Sequence, residues 1–196
     1  DNSLSILQSF KDSRIKLINF ENNTKKIGIV NYALSIAMGD FITFQDADDY
    51  SDSRRIELQL KEFSKDESLV ICFTGYLING KIDNTKQYRI SNELLKKEFI
   101  SAEFLTNDLY HSSLCATMMF PRKALEIVLG YRSFFVDRMG EDLDLAYRIL
   151  KLGSGLTLTE NLYYYNYKRQ DSFSYFQLQN NNPKLSTSYT LLKNII

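Results

Sequence analysis

Two carboxylates separated by one small residue, Asp46 and Asp48 around Ala47, stand directly after the apolar run Phe41-Ile-Thr-Phe-Gln45. A third, Asp49, follows at once. In an open parallel sheet, ligands collect at the carboxyl ends of the strands. A strand that ends abruptly in acid therefore puts negative charge where a ligand would sit. The spacing lets one turn aim Asp46 and Asp48 at a single hard cation. Mg²⁺ or Mn²⁺ is commonly held by one or two carboxylates, with water and phosphate completing its shell. The same residues also suit an acidic turn capping a helix that begins near Ser53, and the motif alone does not separate the two readings.

A second acidic centre lies at Gly140-Glu-Asp-Leu-Asp-Leu-Ala-Tyr-Arg-Ile149, which starts a helix. On a helical wheel Asp142 shares a face with Leu145, Ala146 and Ile149. Glu141, Asp144 and Arg148 fall on another face, where Asp144 and Arg148 make an ordinary i,i+4 pair. A carboxylate turned inward needs a partner or a task. Both Glu141 and Asp142 also suit a helix N-terminus electrostatically, which accounts for Glu141 better than for Asp142. If Asp142 faces the same cleft as Asp46 and Asp48, the set suits a metal-assisted transfer with Asp142 as general base. The helix dipole and the metal would then hold its pKa low.

The elements that must position these groups are legible in outline. Residues 3–10 read as a short helix capped by Ser3, Arg14 to Phe20 as a strand, and Gly28 to Met38 as a helix. The apolar face of that helix is Ile29, Val30, Ala33, Ile36 and Ala37. Residues 53–64 form an amphipathic helix with Ile56, Leu60 and Phe63 on its stripe and Arg54-Arg55 on its surface. Leu69 to Thr74 is a strand covered on both faces, followed by a hairpin around Asn79-Gly80. Short helices at about 91–98 and 101–107, a strand over Cys115 to Phe120 and a helix opened by Pro121 come next. Tyr163 to Tyr167 alternates as an edge strand. Strands alternating with helices imply an α/β domain with a mostly parallel sheet.

Composition narrows the function classes. With 24 basic against 24 acidic residues, bulk charge favours neither nucleic acid nor an anionic membrane. Hydrophobic residues make up 44%, enough for a packed core. Cys72 and Cys115 form no close-spaced metal or redox motif and read as buried, reduced thiols. No run approaches the ~20 apolar residues of a spanning helix. His111, the one histidine, reads as a loop residue.

Taken together the pieces resemble family 2 glycosyltransferases of the GT-A fold. The residues that carry the likeness are Gly28 to Asn31, Ala33-Leu34, Ala37 to Tyr50 and Arg55-Ile-Glu-Leu-Gln59. Met119 to Arg122, Gly130-Tyr-Arg132, Gly140 to Ile149, and Tyr165 to Arg169 with Ser172 and Ser174 complete it. The likeness covers residues 1–175, leaving 176–196 as a polar tail that reads as helical from Lys184. It implies an α/β, Rossmann-like GT-A sheet flanked by helices and lacking the first strands of the family pattern. The chain opens on residues like those after the family's second strand.

The resemblance also implies roles. Asp46 lies near the nucleotide ribose, Asp48 binds the Mn²⁺ or Mg²⁺ that bridges the donor diphosphate, and Asp49 stands beside it. Asp142 is the catalytic base, with Glu141 supporting donor or acceptor hydroxyls. Arg169, Ser172 and Ser174 match a loop that closes over the diphosphate, a task suited to the bidentate fork of Arg. The expected partners are a UDP-sugar donor and a glycan or lipid-linked acceptor, with no nucleic acid. The expected setting is bacterial cell-surface polysaccharide synthesis in the cytoplasm, peripherally at the inner face of the membrane. The expected chemistry is inversion by direct displacement. Val30 stands where the family often has Arg. Two alternatives remain open: a degenerate, non-catalytic fragment acting as a binding or assembly module, and a phosphoryl-transfer enzyme using the strand-end Asp-x-Asp. An EF-hand is excluded, because Tyr50 and Ser51 stand where a ligand and a Gly are needed.

Overall fold

The structure is a computed structural model, and it describes residues 2–78, 81–82, 89–90, 115–136 and 140–165. The helices are α1 (Ser3–Ser9), α2 (Lys25–Ile36), α3 (Arg55–Phe63), α4 (Arg122–Val128) and α5 (Glu141–Leu150). The strands are β1 (Phe41–Thr43), β2 (Tyr50–Ser51), β3 (Leu69–Ile78), β4 (Lys81–Ile82), β5 (Arg89–Ile90), β6 (Met119–Pro121) and β7 (Ser154–Tyr165). One sheet runs in the order β1-β6-β3-β7-β2, with β4 on β3 and β5 on β7.

The sheet is mixed, and its pairing departs from the parallel expectation. Only β3 and β7 run parallel; the other described pairings are antiparallel. β3 and β7 are the long central strands; β3 reads as a near-continuous apolar run, whereas β7 is mixed and exposes Thr159 and Glu160 midway. Tyr163 to Tyr165 is therefore interior rather than edge: β7 pairs with β3 on one side and with β2 and β5 on the other.

Residues 14–20 are not a strand among the described residues, and Ile15, Leu17 and Ile18 stay 37–48% exposed. The apolar alternation is present, but no described strand offers a ladder for its backbone groups, and among the described strands β1 pairs with β6 alone. Helix α1 buries none of its residues. Its N-cap is Asn2 rather than Ser3, and it is Ser5 Oγ that donates to the Asn2 carbonyl at 2.9 Å.

Helix α2 begins three residues earlier than its pattern suggests, with Thr24 as N-cap. It buries Ile27 and Leu34, while Ile29 and Ala33 face solvent. Lys25 enters the helix at φ +61°, a left-handed conformation that lets the polar loop turn sharply. Cys115–Thr117 is a 3₁₀ turn, so the strand that follows is shorter than its apolar run. Pro121 N-caps α4, which is where a missing N–H costs nothing.

The main core joins α2, β1, β3, β6, α4 and α5 through Leu34, Ile42, Phe73, Phe120, Leu125 and Leu145. A smaller cluster of Leu69, Cys72, Leu156, Leu158 and Leu162 lies against Leu58 and Phe63 of α3. Burial pushes the Cys72 thiol up to about 12, with Glu62 adding to it, so this cysteine behaves as an apolar side chain. The expected helices at 91–98 and 101–107, the turn at Asn79-Gly80, His111 and the tail lie outside the described residues.

Candidate active site

The acidic turn is built by the end of β1 and held from behind by a buried arginine. Arg55 is 2% exposed. The sequence pattern places it on the surface of α3; instead α3 buries Arg55 and Gln59, and Ile56 and Leu60 are exposed. The stripe is polar because main-chain acceptors lie beneath it. Arg55 donates to the Phe44 carbonyl at 3.1 Å, Thr43 Oγ1 at 2.7 Å, Ser51 Oγ at 2.9 Å and the Ala116 carbonyl at 3.2 Å. Gln59 donates to the carbonyls of Cys72 and Thr117 at 2.7 and 2.9 Å. Together the two side chains stitch β1, β3 and the turn before β6 to one helix, and a planar five-donor guanidinium is the group that can do this.

Tyr163 closes the turn from the other side. Its hydroxyl donates to Asp49 Oδ2 at 2.8 Å and accepts from the Asp46 N–H at 3.4 Å. The Arg55 guanidinium carbon lies 5.1 Å from the centroid of its ring. Burial, then the bond to Asp49, raises the Tyr163 phenol above its ordinary pKa, so it stays a donor. Asp49 is thus 8% exposed and anchored inside the protein, and its carboxylate does not face out beside that of Asp48. Asp46 is exposed and Asp48 half-buried. Within the turn, the Asp49 N–H donates to the Asp46 carbonyl at 3.2 Å.

The second acidic centre is the first turn of α5. Gly140 caps it at φ +102°, a conformation suited to glycine. The helix is buried almost all round, which is why a wheel could not separate its faces. Asp144, expected on a surface face, is 1% exposed and is the structural carboxylate. It pairs with Arg148 at 2.7 Å and Arg132 at 3.2 Å, and Arg148 also donates to the carbonyls of Val128 and Gly130. Asp142 is half-buried, and its Oδ1 accepts from the Leu143 N–H at 2.8 Å. Burial first, and then the neighbouring Glu141, raises the Asp142 pKa; Lys26 and the main-chain N–H groups pull against them. The expectation of a depressed pKa is therefore reversed for the protein alone, because the loss of solvent outweighs the helix terminus.

Lys26 and Tyr131 connect the two centres. Lys26 Nζ lies 2.9 Å from Glu141 Oε1. Burial works against the ammonium, but Glu141, Asp142 and Asp46 outweigh it and raise its pKa. Tyr131, buried and stacked on Phe44 at 6.2 Å, is raised by burial and then by Asp142, Glu141, Cys115 and Asp46. Each of these two side chains sits in the electrostatic field of both acidic sets. Asn31 fixes Tyr131 in place, donating to its carbonyl and accepting its N–H, both at 2.8 Å. Gly130, at φ +74°, leaves that clamp room: a Cβ there would meet Asn31 Oδ1 at 2.7 Å.

Sequence reasoning missed Lys26, Tyr131, Asn31, Arg55 and Tyr163 as parts of the site. The i,i+4 pair Arg55 and Gln59, directly after the acidic turn, was the signal for the buried polar stripe. Lys26 carried none. Arg169, Ser172 and Ser174 lie outside the described residues.

The donor set fits a hard divalent cation in one form. Among the described residues no three of His, Cys, Asp and Glu gather into a set that could hold a metal unaided. Asp46 is exposed and Asp48 half-exposed at a strand end, a two-carboxylate arrangement that suits an ion completing its shell with water and substrate phosphate. Among the described residues no helix is long and apolar enough to cross a membrane.

Comparison with known proteins agrees with this architecture. Residues 1–128 match the profile of Glycosyl transferase family 2. EpsE of Bacillus subtilis (strain 168), which bears the name of a glycosyltransferase, is 30% identical over 168 residues, 83% of this chain and 57% of EpsE. TuaG of the same strain, named for teichuronic acid biosynthesis, is 36% identical over 78 residues, 39% of this chain and 31% of TuaG. Among solved structures, S. aureus TarS 1-349 superposes with a TM-score of 0.65 at 17% identity, over 85% of this chain and 48% of that one. The same TarS fragment in complex with UDP-GlcNAc gives 0.62 at 15% identity, over 91% of this chain and 52% of that one. The chain spans about half the length of EpsE and of the TarS fragment.

Proposed function

The chain belongs to glycosyl transferase family 2, and from that premise we propose that it transfers a sugar from a nucleotide-sugar donor to a saccharide or lipid-linked acceptor. The observation that carries this reading is the shared field. Asp46, from the end of β1, and Asp142, from the first turn of α5, both act on Lys26 and Tyr131. That coupling supports the reading that two acidic sets, nearly a hundred positions apart in the chain, serve one site. UDP-GlcNAc is the first donor to try, since a TarS structure holds it.

In this reading Asp142 takes the proton of the acceptor hydroxyl. As its oxygen bonds to the anomeric carbon, the bond from that carbon to the diphosphate breaks and the centre inverts. A raised pKa makes Asp142 a better base than an ordinary aspartate, provided it is ionised when acceptor arrives. Glu141 orients sugar hydroxyls while paired to Lys26. Asp46 and Asp48 would hold Mn²⁺ or Mg²⁺, which when bound supplies charge neutralisation at the leaving diphosphate. Arg169, Ser172 and Ser174 take the diphosphate-closing role that the resemblance gives them. The work belongs to bacterial surface-polysaccharide synthesis at the cytoplasmic face of the membrane.

The test is a panel of UDP-sugars assayed for binding by calorimetry and for release of UDP, with Mn²⁺ present and absent. The proposal expects metal-dependent binding of UDP and slow donor hydrolysis that Asp142→Asn removes. Calorimetric silence toward every nucleotide, with and without metal, would instead favour a non-catalytic fragment.

A further inference from the structure

We infer that Lys26 is a positioning residue, whose ammonium, paired with Glu141, holds the Glu141–Asp142 turn in place and balances its charge. The inference rests on the reading of Asp142 as base.

The geometry is specific. Lys26 lies in the first turn of α2 and Glu141 opens α5, so the 2.9 Å contact joins two elements separated by most of the domain's sequence. The Glu141 side chain is 13% exposed, whereas that of Lys26 is 57% exposed. The chain thus brings an ammonium in from outside to meet a largely buried carboxylate. An exposed pair on a protein surface contributes little, but this one stands where two acids adjoin on one helix end, and the charge of a third, Asp46, also reaches Lys26. Around Asp142 the ionisable neighbours among the described residues are Glu141 on its own helix, Lys26 on α2, Cys115 in the turn before β6 and Tyr131 after α4. Asp46, beyond β1, acts on the same Lys26 and Tyr131. Lys26 is the cation in that set. The Cys115 thiol and Tyr131 phenol are both raised by burial and by these acids, so neither supplies balancing charge.

Lys26 also has a geometric effect. Gly140 gives the start of α5 a conformation with few steric limits. A tether from α2 to the first helical side chain fixes the direction in which the next residue, Asp142, projects. Without it, the pair would repel and the turn would lose its external anchor.

The experiment compares wild type, Lys26→Met, Lys26→Arg and Asp142→Asn. With a donor substrate, Lys26→Met should move the acidic limb of the kcat profile to higher pH and lower kcat more than it changes KM for donor. Lys26→Arg should restore most of both. Urea denaturation at pH 4 and pH 7 supplies a second readout that needs no substrate. Lys26→Met should lose more stability at pH 7 than at pH 4, because acid weakens a carboxylate–ammonium pair. A Lys26→Met profile that superposes on wild type, or a stability loss equal at both pH values, overturns the inference. So does an Arg variant no better than Met. Asp142→Asn with wild-type turnover would overturn the underlying reading of the base instead, and the two failures are thus distinguishable.

Discussion

The hydroxyl of Tyr163 donates to Asp49 Oδ2 at 2.8 Å, across 114 positions of sequence. Through this bond the central strand β7 sets the shape of the acidic turn that follows β1. Asp49 becomes the buried root of the turn and leaves Asp46 and Asp48 at its surface. Tyr163→Phe removes one donor from a buried carboxylate, which costs about 1–3 kcal/mol. Urea denaturation should read that loss. Nucleotide binding should weaken with it, because the turn loses a fixed point.

Arg55 holds the same turn from the α3 side, through acceptors on β1, Ser51 and Ala116. Lysine presents a single ammonium and cannot reproduce the fork. Arg55→Lys should therefore destabilise the protein by at least about 2 kcal/mol, since buried carbonyls lose their donors. The check is chemical denaturation, with a midpoint that falls at unchanged slope.

Asp142 and Asp144 lie two residues apart and should behave in opposite ways. Asp144→Ala strands Arg148, whose side chain is 10% exposed, and should cost about 3–5 kcal/mol. Asp142→Asn should do the reverse. Burial, then Glu141, raises the Asp142 pKa in the folded state, so the native protein binds its proton more tightly than the unfolded chain does. Stability contributed by this group is then present at low pH and falls as pH rises through the raised pKa. Replacing it by Asn should remove that fall and raise Tm at pH 7, while lowering turnover by about 10²–10⁴-fold. Thermal melts at pH 4 and pH 7, beside an activity assay, decide it.

Leu129 ends α4 at φ +62° with its side chain 82% exposed. It sacrifices little contact and carries left-handed strain. Leu129→Gly should stabilise the protein by about 0.5–1 kcal/mol, the relief of strain less the added freedom of the unfolded chain. A Tm below that of wild type would show that Leu129 packs against something the exposure does not reveal.

Much of the fold was legible because its long elements follow simple periods. β3, α5 and the acidic turn were placed within a few residues, since apolar runs and a Gly-Glu-Asp start leave little choice. The misplaced elements have physical causes. Residues 14–20 carry strand alternation, but a strand exists only with a ladder partner, and the sequence of the segment says nothing about one. On α3 Ile56 and Leu60 point outward, while Phe63 still packs, because main-chain carbonyls at Phe44 and Ala116 made a polar stripe the better filling. On α5 the helical wheel assumed one solvent face, whereas the helix is covered nearly all round, so Asp144 rather than Asp142 took the ion-paired interior position. The acids of the candidate site were visible as types and spacing. Lys26, Tyr131 and Asn31, which link the two acidic sets, are brought there by tertiary packing alone.

The central claim is that Asp48 and Asp142 border one nucleotide-sugar pocket. A crystal of the protein grown with Mn²⁺ and UDP tests it directly, through the anomalous difference peak of the metal. The account predicts a peak against Asp48, with the diphosphate lying between the acidic turn and the first turn of α5, facing Asp142 and Lys26. A peak elsewhere, or a nucleotide bound with its diphosphate turned away from α5, would contradict it.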